Sequence, residues 1–360
     1  MCAFFPIGIF ILTFIASVIP CVMFASIKMK TMSDRLVFLG PLGFHVTNSL
    51  KYILIIYHSD VMKKCVTQVT ADWMEAQTNE EQNVMWKSAN LGRSLTRMCA
   101  FFMFSGAIFF QAMTMLKPKE IDKFNVTIRQ HVLPRYDYFV DSQMSPVFEI
   151  TYGTHTILLV FLYTIEIAIC NLAAVFVSHI CGQVRVMKLK LKRLEESACE
   201  RSNDLDDAIW SVIHCHVKIL KLIENTRNGL WEICLIEVTY SAIVMCWLEF
   251  YCLREWSNSD SLALVTYASL FISLTFNIFT LCLIGEVAKN ECSSVAELTY
   301  NIAWYHIPPK QLTSFILIIA MARYSRNLSA GGMVEMTLQS FATVLKTSFM
   351  YFQMLRTVTG

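Results

Sequence analysis

Seven stretches of about twenty apolar residues recur along this chain and constrain its fold more than any other feature. They run over 2–27, 36–57, 95–116, 148–180, 230–253, 262–284 and 333–355. A hydrocarbon core of about 30 Å is crossed by roughly 20 residues of helix. The expected fold is therefore an all-α membrane protein, a single domain of seven transmembrane helices over 1–360. The fourth run is longer than a bilayer needs and extends past it at one end. Composition agrees: 55% of the 360 residues are hydrophobic and 16% are charged, more apolar than a soluble domain.

The two ends need separate readings. The first run stands where a signal peptide would, but it lacks a basic lead, contains Pro6 and Pro20, and exceeds the usual hydrophobic region of such a peptide. It reads as a spanning helix, and the chain starts almost directly in it, so a cytoplasmic lead is expected to be missing. Near the other end, 312–322 is apolar but too short to span, and Arg323, Arg326, Gly331 and Gly332 separate it from the last apolar run. The expectation is a short buried helix over 312–322, a hinge at Gly331 and Gly332, then a last span over 333–355. That span carries Lys346 near its middle, with five residues after Leu355. With so little behind it, no C-terminal signalling tail is expected, and function is expected in or across the bilayer.

Lysine and arginine in the loops set the orientation, because cytoplasmic loops carry the excess. The loops after the second, fourth and sixth runs hold 15, the last of them counted up to the 312–322 stretch with Lys289 and Lys310; those after the first, third and fifth hold 9. The N-terminus is therefore expected in the cytoplasm and the C-terminus outside. Asn125-Val126-Thr127, in the third loop, is an N-glycosylation acceptor that this topology places outside. Asn327-Leu328-Ser329 also matches, but lies at the inner side and is not expected to be used.

Several function classes fall away. A net charge of +2 gives no basic surface for a nucleic acid, so none is expected as a partner. The thirteen cysteines form no CxxC pair and no evident disulfide framework or metal site. His214 and His216 flank Cys215, but residues two apart on a helix do not share a face, so no metal is expected there. No GxSxG, P-loop, HExxH or dinucleotide glycine pattern occurs, so neither an enzyme nor a cofactor is expected. A secondary transporter would show an inverted repeat or paired broken helices, and only the C-terminal region is interrupted. A G-protein-coupled receptor would have the opposite orientation and carry CWxP and NPxxY, both absent.

The last helix has the pattern of a pore wall. Thr347, Met350 or Tyr351, Met354 and Val358 fall at helical spacing on one face. Four such faces around an axis would form an apolar ring that gates by dewetting; packing against neighbouring helices is the plainer alternative. Lys346 in this helix, Glu166 in the fourth run and Glu237 in the fifth are charges inside the membrane, each an interhelical pair or an ion contact.

Several motifs carry a resemblance. They are Gly182-Gln183-Val184-Arg185, Ile284-Gly285-Glu286, Trp304-Tyr305 with Ile307-Pro308, Ser329-Ala330-Gly331-Gly332 and the block from Phe341 to Ser348. With Leu133-Pro134-Arg135-Tyr136 and the stretch from Ser145 to Glu149, they resemble the insect odorant receptor family over nearly the whole chain. The related gustatory receptors are the alternative, but their last-span pattern fits Thr347 to Met354 poorly.

The resemblance implies an odour-gated, non-selective cation channel in the plasma membrane, a heterotetramer in which an odour-tuning subunit joins a shared co-receptor. The co-receptor has a long insertion in the second cytoplasmic loop; here 181–228 is compact, so the odour-tuning subunit is implied. Small volatile molecules would bind among the second to sixth spans. The residues at the implied depth are Phe44, His45 and Asn48; Phe109, Phe110 and Met113; Tyr152, His155 and Leu159; and Tyr267 and Phe271. An aromatic and methionine-lined cavity with a few polar groups suits such ligands. The implied gate is Met354, Thr357 and Val358. The inner ends of the fourth to sixth spans and the helix 312–322 would join subunits, and the remaining outer surface would meet membrane lipid. The stretches 186–194 and 209–223 mix apolar and charged residues as partner-packing helices do.

Overall fold

The computed structural model describes residues 15, 18–24, 26–27, 32–76, 78–116, 120–121, 127–128, 144–199, 205–258, 260–323 and 328–359. Most of the first apolar run, Asn125 and Asn327 lie outside the described residues.

From residue 32 on, the described α-helices follow in this order: α1 (Met32–Tyr57), α2 (Ser59–Glu75), α3 (Asn79–Leu116), α4 (Val147–Cys199), α5 (Leu205–Asn258), α6 (Ser261–Asn301), α7 (Pro309–Arg323) and α8 (Leu338–Thr359). Two-residue strands pair antiparallel at β1 (Glu120–Ile121) with β2 (Thr127–Ile128), and at β3 (Ser329–Ala330) with β4 (Val334–Glu335). Among the described residues, α3, α4, α5 and α6 are long and apolar enough to cross a membrane.

These four helices outrun the apolar runs that mark them. At 53 and 54 residues, α4 and α5 reach about 80 Å at 1.5 Å per residue. Their extensions all lie toward one end. There Met187, Leu191 and Leu194 of α4 face inward, as do Ile209, Val212, Cys215, Ile219 and Leu222 of α5. Both sets recur at three and four residues, the spacing of one helix face, and both belong to one continuous buried core with the membrane portions of α3, α4, α5 and α6. The 186–194 and 209–223 stretches are thus the ends of two long helices, not separate ones.

This base is fastened by charge. Arg185 donates to Glu291 Oε1 from Nε at 2.9 Å and from Nη2 at 2.5 Å, while Lys188 donates to Glu291 Oε2 at 3.0 Å. His179 meets Asp72 of α2 at 3.0 Å, Lys218 of α5 meets Glu75 at 2.5 Å, and Arg193 meets Glu81 at 2.8 Å. Half-buried and networked pairs of this kind are worth more than isolated surface pairs.

The C-terminal region differs from expectation in its boundaries. The last helix begins at Leu338 rather than 333, because 329–335 folds into a hairpin. Gly331 and Gly332 lie in its three-residue loop with φ of +62° and +71°, values that side chains resist, and Met333 N donates to Ala330 O at 3.1 Å across it. The hairpin is held on both sides. Gly331 N donates to Trp231 O of α5 at 2.9 Å, and Met336 N to Leu328 O at 2.9 Å. Against α6, a Cβ added at Gly285 would run into Met336 O, Glu286 Oε2 accepts from Leu338 N at 3.3 Å, and Lys289 reaches Glu335 at 2.8 Å. The Ile284-Gly285-Glu286 motif thereby seats and caps the start of α8.

Candidate functional site

One face of α4 organises the membrane half. Tyr152, His155, Leu159, Tyr163 and Glu166 recur at three- and four-residue steps, spanning about 21 Å. At its first turns, Tyr152 OH donates to Gln111 Oε1 of α3 at 3.0 Å, and Phe148 stacks on Tyr152 with ring centres 6.1 Å apart. Further along, Phe44 of α1 lies against Tyr163 at 4.8 Å.

Below that aromatic contact lies a buried polar cluster. Lys51 Nζ of α1 donates to Glu166 Oε2 at 2.7 Å and also to Glu237 Oε2 of α5. Asn277 Nδ2 of α6 donates to Glu166 Oε1 at 2.9 Å and Glu237 Oε1 at 2.8 Å, and Ser241 Oγ donates to Glu237 Oε1 at 3.2 Å. Cys99 Sγ of α3 reaches Asn277 Oδ1 at 3.5 Å. Five helices thus converge on one point. An unpaired charge in a bilayer interior is costly, and here the ammonium lies between two carboxylates with every carboxylate oxygen accepting a bond.

Of the residues expected to line a ligand site, His45, Asn48, His155 and Leu159 are buried, while Phe44, Phe110, Met113, Tyr152, Tyr267 and Phe271 are half-buried. Phe44, Phe110, Tyr152 and Phe271 all pack on the core that contains Leu159. The structure joins the α1 trio to the α4 trio through Tyr163, and Tyr152 to α3 through Gln111. Phe109 is exposed, and Tyr267 pairs with Tyr251 of α5 at 5.3 Å. Sequence reasoning missed Lys51, Gln111, Tyr163 and Asn277. A lysine and an asparagine inside apolar runs are signals of the same kind as Glu166 and Glu237, and could have been found in the same way.

On α8, Val344, Ser348 and Phe352 form the buried face, against α5 and α6. Ser348 Oγ donates to Glu249 Oε1 of α5 at 3.1 Å. Met350 and Met354 are 70% and 65% exposed, and Tyr351 and Thr357 are exposed with them. Lys346 is also on the exposed side. The side chain of Val358 lies outside the described ones.

No metal ligand group of three or more His, Cys, Asp or Glu occurs among the described residues.

Comparisons with known proteins agree with this architecture. Residues 31–349 match the family model described as 7tm Odorant receptor. Odorant receptor 2a of Drosophila melanogaster is 21% identical over 190 residues, covering 50% of this chain and 48% of its own length. Odorant receptor 10 of Aedes albopictus is 22% identical over 227 residues, covering 61% and 58%. The matched part is thus about half the length of these curated relatives. The fold is that of the insect olfactory receptor OR5 from Machilis hrabei, at a TM-score of 0.72 and 14% identity, covering 97% of this chain and 87% of that one. The same receptor in complex with eugenol superposes at 0.73, covering 98% and 88%. The long helices, the seated hairpin and a family match over most of its length establish this chain as a multi-pass plasma-membrane receptor of the insect odorant receptor family.

Proposed function

We propose that the chain is an odour-tuning subunit that binds small volatile molecules inside its helix bundle and forms, with a co-receptor in a heterotetramer, a ligand-gated non-selective cation channel. The carrying observation is the two-faced last helix. Its Val344, Ser348 and Phe352 side is buried in its own chain, while Met350, Tyr351 and Met354 face outward. Apolar surface so disposed fits a ring of four α8 helices around a pore, where dewetting closes the path. Met354, Thr357 and Val358 form the gate, and the hairpin turn at Gly331 and Gly332 serves as the hinge.

The α4 stripe and its neighbours on α1, α3 and α6 form the ligand site, at Phe44, His45, Asn48, Phe110, Met113, Tyr152, His155, Leu159 and Phe271; Phe109 and Tyr267 flank it. The charged base and the outer face of α7, with Ile316 and Leu317 exposed, join the subunits. The N-terminus is cytoplasmic, the C-terminus extracellular, and Asn125 is the glycosylated residue. Expression with a co-receptor should give volatile-evoked cation currents in patch-clamp recording, and expression alone little current. Silence across a broad volatile panel, with surface delivery verified, overturns this function.

A further inference from the structure

Helix α1 carries two bare hydrogen-bond acceptors, one turn apart, in the wall of the ligand region. Asn48 is fully buried and His45 is 2% exposed. Asn48 Nδ2 donates to Phe44 O of its own helix at 3.0 Å, and His45 Nδ1 bonds Pro41 O at 2.8 Å. A carbonyl only accepts, so these bonds fix both the amide orientation and the ring tautomer. What remains is the amide oxygen Oδ1 of Asn48 and the unprotonated Nε2 of His45, and neither has a hydrogen-bond partner among the described residues.

The hydroxyls beside them on α1 and α5 are already committed. Thr47 Oγ1 donates to Gly43 O at 2.7 Å, Ser49 Oγ to His45 O at 2.7 Å, and Tyr240 OH of α5 to Gly40 O at 3.3 Å. One turn inward, the Lys51 ammonium is held between the two glutamates. A buried acceptor left unmet costs about 1–3 kcal/mol, and here two share one helix face beside the Phe44–Tyr163 aromatic pair.

We infer that His45 and Asn48 select ligands bearing a hydrogen-bond donor: alcohols, phenols or primary amines, not ethers, esters, ketones or hydrocarbons. This rests on the ligand site proposed above and names its chemistry. A hydroxyl entering between the aromatic walls supplies the proton these two acceptors lack, whereas an ether oxygen offers them none. Sites built around such a bond reject the analogue that cannot make it.

The test uses the receptor co-expressed with a co-receptor. A volatile panel identifies agonists, and each alcohol or phenol is then paired with its O-methylated counterpart, as phenol with anisole and 1-hexanol with hexyl methyl ether. Donor-bearing compounds should dominate the agonists, and methylation should raise the half-maximal concentration about tenfold or more. Asn48→Leu and His45→Phe should each shrink that ratio toward about one. If Asn48→Leu does not reach the surface, His45→Phe carries the comparison, and the wild-type ratio stands without either.

Agonists that lack a donor, or capped compounds as potent as their parents, overturn the inference while the receptor function stands. A ratio that both variants leave unchanged overturns the assignment to these residues. Silence to every volatile overturns both.

Discussion

The base of the molecule and its membrane half use polar groups in opposite ways. In the base, charged side chains on α2, α3, α4, α5 and α6 find one another: Glu291 takes both Arg185 and Lys188, and Asp72 takes His179 and Lys218. The bare buried atoms there include Thr226 Oγ1 and Gln311 Oε1. In the membrane half, one satisfied cluster around Lys51 is accompanied by His45 Nε2, Asn48 Oδ1, Gln111 Nε2, Glu249 Oε2 and Thr275 Oγ1, all buried and without partners among the described residues. Water can compete for a base that projects beyond the bilayer, so its polar groups are stable only as networks. In the membrane half an unmet polar atom is expensive, and its persistence marks a place where stability has been given up for something else.

The sharpest way to break this contrast is at Gly285. A side chain there would collide with the Met336 carbonyl, and neither α6 nor the hairpin is free to yield. Gly285→Ala should therefore cost about 3 kcal/mol or more by forced displacement of packed backbone. The expected outcome is loss of monodisperse protein and of surface delivery. A Gly285→Ala protein that melts like the wild type would show that the base is softer than its contacts imply.

Next in size is Lys51. Replacing it with methionine leaves Glu166 and Glu237 facing each other with only Asn277 and Ser241 as donors. Removing one partner of a buried ion pair costs about 3–5 kcal/mol. Lys51→Met should lower the melting temperature of detergent-solubilised protein strongly, and adding Glu237→Gln should restore part of the loss. No loss in the single variant would mean the cluster is not a structural brace, which would remove the satisfied layer from the membrane half.

The residues explain how far sequence carries. Apolar run length locates α3, α4, α5 and α6 because membrane thickness fixes it, and the motif at Ile284, Gly285 and Glu286 marks a real junction. Their inner ends overrun the expected bounds, since hydropathy falls where the helices leave lipid although helix and core continue through Met187 to Leu194 and Ile209 to Leu222. The hairpin at 329–335 reads from sequence as helix and hinge because two-residue strands leave no periodicity. Glu166 and Glu237 each stand out alone, but their common partner on α1 sits 115 residues before one and 186 before the other. Spacing along a chain does not reveal such contacts. The bare atoms of His45 and Asn48 are equally hidden, because both residues make one ordinary bond to their own helix.

The smallest expected effect discriminates best. Asn48→Leu removes the Nδ2 bond to Phe44 O, worth about 1 kcal/mol, and also removes an unmet buried acceptor that costs about 1–3 kcal/mol. Leucine keeps the branched four-atom skeleton of asparagine and would sit beside Phe44, which packs on Tyr163. The two terms nearly cancel, so thermal unfolding of Asn48→Leu should lie within about 1 kcal/mol of wild type and lean toward greater stability. Structural polar residues behave otherwise: Lys51→Met loses stability, whereas Asn48→Leu should lose only the preference for donor-bearing ligands. If Asn48→Leu unfolds as readily as Lys51→Met, then Asn48 is part of the brace, and the division between a fastened base and a waiting membrane half collapses at its central residue.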